Sequence, residues 1–83
     1  MNNNYISKLE LKDFQLILNE FDITLNNDIQ TQILKVIQNN QYALKHDRYL
    51  FVLENYIKKL TSENTCQKIM NVLNCYFKPL LNV

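Results

Sequence analysis

The chain reads as all-α, a small antiparallel four-helix bundle forming a single domain over residues 1–83, and three observations carry that reading. Glycine is absent from all 83 residues and proline occurs once, at Pro79, where average usage would be roughly 7% and 5%. Asparagine supplies the punctuation instead, at 13 positions, and it caps helices well at the N-terminus and tolerably at the C-terminus. Four stretches carry apolar residues at helical spacing, separated by short polar breaks, which is the pattern of a bundle. The missing glycine also removes any phosphate-cradling loop and leaves positive φ to Asn or Asp, arguing against most nucleotide-binding folds.

A polar tail over 1–5 comes first. Ser7-Lys8-Leu9-Glu10 then has the form of a capping box, with Ile6 and Leu11 placed for a hydrophobic staple, and predicts a helix over 8–21. Leu11, Phe14, Leu18 and Phe21 form its apolar face, with Ile17 beside it. Asp22 to Asn27 is the first connection, and Asn27 with Gln30 predicts a second helix over 28–38, carrying Ile29, Ile33, Val36 and Ile37 on one face. An α+β alternative stays open over 21–37. Phe21 to Leu25 alternates, and the following stretch is β-branched enough for a hairpin about Asn26-Asn27.

Gln38-Asn39-Asn40 breaks the chain again, and the longest pattern predicts a helix over 41–60. Tyr42, Tyr49 and Tyr56 recur every seven residues, as do Ala43, Leu50 and Ile57, and His46, Leu53 and Leu60. These rows are adjacent on a helix and form one broad stripe, in which the tyrosines read as core members with hydroxyls at the rim. Thr61 to Asn64 is the third break, and Asn64 with Gln67 predicts a helix over 65–77 with Cys66, Ile69, Met70, Leu73, Tyr76 and Phe77 on one side. Pro79 should end it, because the residue before a proline is pushed out of the helical region. Residues 78–83 then form an apolar tail, expected to fold back onto the bundle.

Net charge is +1, with Lys and Arg spread from Lys8 to Lys78, so no strong field draws nucleic acid or membrane. No stretch approaches the ~18 apolar residues of a membrane span, and Met-Asn-Asn-Asn-Tyr lacks the flank and apolar run of a signal peptide; a cytoplasmic protein is expected. Cys66 and Cys75, nine residues apart on one helix, read as free thiols.

Reactive chemistry is thin. Ser7 and Ser62 sit where hydroxyls are wanted for caps, and nothing local pairs Cys66 with His46. His46 has no ligand partner at helical spacing. The carboxylates follow helix starts and polar faces. The chain therefore reads as non-enzymatic, with no cofactor, metal or small-molecule ligand expected.

More informative are smaller second stripes. Leu9 and Leu16 lie opposite Leu11 and Leu18. Leu44 and Phe51 lie away from the main seam, rimmed by Asp47, Arg48, Asn55 and Lys58. Leu9, Leu16, Leu44, Arg48, Phe51 and Asn55 thus form the candidate surface for another protein or a second copy; the competing reading is that the 41–60 helix is central and covered all round. The function expected is protein binding, as by an inhibitor, an immunity or phage-encoded anti-defence (anti-CRISPR-like) factor, or a secretion chaperone. The alternative is a small nucleic-acid-associated regulator using Lys45, Arg48, Lys58 and Lys59 with the tyrosines.

Overall fold

The computed structural model describes residues 5–81. They form α1 (Tyr5–Lys8), α2 (Leu11–Glu20), α3 (Asn27–Asn39), α4 (Gln41–Lys45), a 3-10 turn (Asp47–Tyr49), α5 (Leu50–Leu60), α6 (Glu63–Val72), a π-helical segment (Leu73–Phe77) and α7 (Lys78–Leu81). The fold is an all-α bundle. No strand occurs among the described residues, so the hairpin alternative over 21–37 falls away. The radius of gyration, 11.8 Å, is that of one compact domain of this length.

α3 is the hub, packing against α1, α2 and α5, while α5 also packs on α6 and α4. Ile33 and Ile37 of α3, Phe14 and Leu18 of α2, Leu53 and Ile57 of α5 and Leu73 and Phe77 of the π segment are all fully buried. The Phe14 and Phe77 rings meet at 6.2 Å between centroids, which ties the C-terminal segment to α2.

The helix expected over 8–21 is broken at Leu9-Glu10, and its start is not the anticipated capping box. Ser7 lies inside α1, and its hydroxyl accepts from Gln41 Nε2 at 2.7 Å. Glu10 takes the N-cap position of α2 without a side-chain cap. Packing explains the break. Leu9 and Leu18 are nine residues apart, so on one continuous helix they would face opposite ways at about 100° per residue. The interruption lets both enter the core, at 7% and 0% exposure. Gln38 Nε2 satisfies the loosened carbonyls, donating to Ile6 O at 3.0 Å and Leu9 O at 3.1 Å.

α2 closes in a Schellman motif. Ile23 N donates to Leu18 O at 2.9 Å and Asp22 N to Asn19 O at 3.1 Å, with Asp22 in the left-handed region at φ 59. Glycine usually fills that position; here an aspartate does. The cap of α3 sits one residue earlier than expected, with Asn26 Oδ1 accepting from Ile29 N at 2.8 Å. Asn27 is left to bind Gln15 Nε2 at 2.9 Å, linking α3 to α2.

The helix expected over 41–60 is two helices. His46 takes φ −129, ψ 108, ending α4 before the 3-10 turn. Leu44 and Leu53 repeat the relation of Leu9 to Leu18: nine apart, opposed on a continuous helix, and both buried once the helix breaks, at 1% and 0% exposure. Burying a leucine contributes about 1.5–3 kcal/mol, more than the roughly 1 kcal/mol net of a lost backbone bond. The junction keeps its bonds besides, His46 N to Tyr42 O at 3.1 Å and Tyr49 N to His46 O at 2.9 Å.

Ser62, not Asn64, caps α6, accepting from Thr65 N at 3.2 Å. Gln67 reaches across to Glu54 instead. Pro79 does not end the helical path. The chain widens into the π segment, where the Lys78 amide bonds to Leu73 O. Residues 78–81 then continue as α7, packed on α4, rather than as a non-helical tail. Lys78 pairs with Asp47 of the 3-10 turn, fastening α7 to the α4–α5 junction. The expected tail residues 1–4 and 82–83 lie outside the described residues, and Tyr5 belongs to α1.

Candidate protein-docking surfaces

The breaks in the two helices split each of the expected second stripes. Leu9 and Leu44 turn inward and join the core, which corrects their assignment to a partner surface. Leu16 and Phe51 stay outside at 63% and 57% exposure. Arg48 and Asn55 are also exposed. The candidate surface thus becomes two surfaces around Leu16 and Phe51, not two stripes.

Around Phe51, on the outer side of α5, a shallow groove of ≈ 220 Å³ is lined by Phe51, Val52, Asn55, Tyr56 and Lys59. Leu53 and Ile57 hold α5 to the bundle from the other side, so the groove is presented by an anchored helix. Around Leu16, a second cleft of ≈ 220 Å³ is lined by Tyr5, Asp13, Leu16, Ile17, Glu20 and Tyr76. The Tyr5 phenol is pushed above its ordinary pKa, first by hydrogen bonding to Tyr76, then by burial and by the Asp13 carboxylate. Tyr76 comes from the π segment and Tyr5 from α1. Sequence reasoning missed this pairing because Tyr5 was placed in a polar tail; an isolated aromatic there was the available signal.

The tyrosines are a further correction. Tyr42, Tyr49 and Tyr56 are 44%, 38% and 50% exposed, not core members. Tyr42 and Tyr49 lie on opposite sides of the break, so their seven-residue relation has no continuous helix to act on. They meet edge to face at 5.5 Å. His46 packs edge-on against Tyr49 at 6.2 Å, and the Arg48 guanidinium lies 5.7 Å from the same ring. His46 is solvated rather than seated in the seam.

Cys66 is buried, and its thiol faces Glu54 O at 3.4 Å. Burial, then the Glu54 carboxylate, pushes its pKa up, so little thiolate forms at neutral pH. Exposed His46 and buried Cys66 are not brought together as a pair. Among the described residues no group of three or more His, Cys, Asp or Glu is placed to hold a metal ion, and no helix is long and apolar enough to cross a membrane.

No protein-family model, curated protein or solved structure matches the chain.

Proposed function

We propose that this is a non-enzymatic protein-binding module whose docking face is the outer side of α5. The observation that supports it most is Phe51 and Tyr56, 57% and 50% exposed, flanking one groove on a helix whose opposite side is fully buried. Exposed aromatics are the residues that anchor protein interfaces, and a few of them carry most of the binding energy. Lys59 in the groove and Arg48 one turn before Phe51 favour an acidic partner. An inhibitor, an immunity or anti-defence factor, or a secretion chaperone, working in the cytoplasm, fits a small binder of this kind.

The test is quantitative capture from native extract with wild type beside Phe51→Ala/Tyr56→Ala, both folded by circular dichroism. A protein retained by wild type and reduced at least about tenfold by the double variant, a loss of about 1.4 kcal/mol, supports the reading. Equal retention by both sinks the α5 face.

One observation favours a second reading. Exposed Tyr42 and Tyr49 meet edge to face beside the Arg48 guanidinium, a cluster on which bases could stack, so a small nucleic-acid-associated regulator remains the alternative. Titration with single-stranded DNA and RNA at about 50 and 200 mM salt decides it, since phosphate contacts weaken steeply over that range.

A further inference from the structure

We propose that the α5 groove and the α2 cleft are mates, and that the partner seated in the groove of one molecule is the cleft of a second copy. The proposal rests on the reading of α5 as a docking face and adds the identity of one occupant. Its basis is complementarity in charge and in apolar content between two separate surfaces of one chain.

The cleft carries Asp13 and Glu20 around exposed Leu16, and the groove carries Lys59 around exposed Phe51 and Tyr56. None of these charges has an ion-pair partner among the described residues, where the only pairs are Lys12 with Glu10 and Lys78 with Asp47. Each surface therefore holds an unneutralised charge of the sign the other lacks. No lining residue is shared, and α2 and α5 both pack on α3, so they are two faces of the same bundle.

Seated together, Leu16 of one copy enters between Phe51 and Tyr56 of the next. The Lys59 ammonium then reaches the Asp13 and Glu20 carboxylates and the Tyr5 and Tyr76 rings, a setting that attracts a cation through both charge and ring quadrupole. Because the contact joins two different surfaces, it is heterologous. An open assembly keeps an unused groove at one end and an unused cleft at the other, and such contacts build rings or open chains. With one lysine facing two carboxylates across small apolar surfaces, association should be concentration-dependent and salt-sensitive.

Sedimentation velocity from about 10 μM to about 1 mM tests it with three proteins. Wild type should show a weight-average mass rising above the 10.0 kDa monomer, less so at high salt. Leu16→Asp and Phe51→Asp should each stay monomeric while folded. Mixed in equal amounts they should associate again and stop at one-to-one pairs, since Leu16→Asp keeps a working groove and Phe51→Asp a working cleft. Wild type that stays at the monomer mass throughout overturns the proposal, as does a mixture that stays monomeric where wild type associates. Charge exchange at exposed positions supplies an arm that needs neither apolar variant. Lys59→Glu should abolish association and Lys59→Glu/Glu20→Lys in one chain should recover it; failure of either overturns the mating. A monomeric wild type would leave the capture experiment on α5 untouched, so the two readings fail separately.

Discussion

At His46 the helical path stops although neither glycine nor proline stands there, whereas at Pro79 it continues through the residue that most often ends it. The difference lies in what each side of the junction must bury. Before and after His46 stand Leu44 and Leu53, which a continuous helix would turn in opposite directions. Leading into the π segment and along it stand residues that already share one face: Ile69, Leu73 and Phe77 are all buried, and the widened turn keeps them so up to Pro79. Backbone preference is worth about 1–3 kcal/mol at its strongest, and buried side chains of this size match or exceed it. Packing sets both outcomes.

The largest expected effect comes from removing the side chains that force the breaks. Leu44→Ala and Leu9→Ala should each lose about 2–5 kcal/mol, while Phe51→Ala and Leu16→Ala, the residues seven positions on, should stay within about 0.5 kcal/mol. Chemical denaturation of the four variants measures this, and equal losses across each pair would restore the continuous helices. Next is Pro79→Ala. Freed of the ring, the segment should gain about 1 kcal/mol, less than the full helix-interior difference because the π turn already accommodates the missing amide. In a domain this small that raises the Tm by about 4–8 °C; a fall would show that the proline ring itself packs.

Asp22→Gly is expected to stabilise by about 0.5–1 kcal/mol in a thermal melt, since glycine occupies the left-handed position without a Cβ penalty. A loss would mean that the Asp22 carboxylate contributes more than its backbone strain costs. The smallest effect belongs to His46→Ala. A better helix former there should change stability by less than about 0.5 kcal/mol, and the Cα chemical shift at position 46 should stay extended. A helical shift at that position would break the contrast with Pro79, because the sequence at the junction, not Leu44, would then be in control.

The same contrast explains what could be read from the sequence. α2, α3 and α6 were legible because their apolar period is local. The caps of α3 and α6 were misplaced by one and two residues because nearby candidates, Asn26 and Asn27 or Ser62 and Asn64, suit the role alike, while the start of α2 moved three residues, from Ser7 to Glu10, with the break before it. The interruptions at Leu9-Glu10 and His46 were not legible, since they depend on residues nine positions apart meeting in one core. From that single cause follow the misplacing of Leu9 and Leu44 and of the first two tyrosines. Tyr56 differs: it sits beside Leu53 and Ile57 on an unbroken helix, at the flank of the stripe, where a wide stripe was drawn too wide. Leu16 and Phe51 stood out correctly as off the main seam.

The side chain that seals the first break lies far along the chain. Gln38 of α3 holds the carbonyls of Ile6 and Leu9, 32 and 29 residues away in sequence, and α1 is a single turn that would not persist alone in water. Its order is therefore borrowed from α3. In folding, α1 is expected to settle after α3 has formed and brought its glutamine into reach, because the closure is long-range. Native-state hydrogen exchange should therefore find the α1 amides in the least protected unit, opening while the α3 core stays shut. With α1 goes Tyr5, so one wall of the α2 cleft is assembled last and released first.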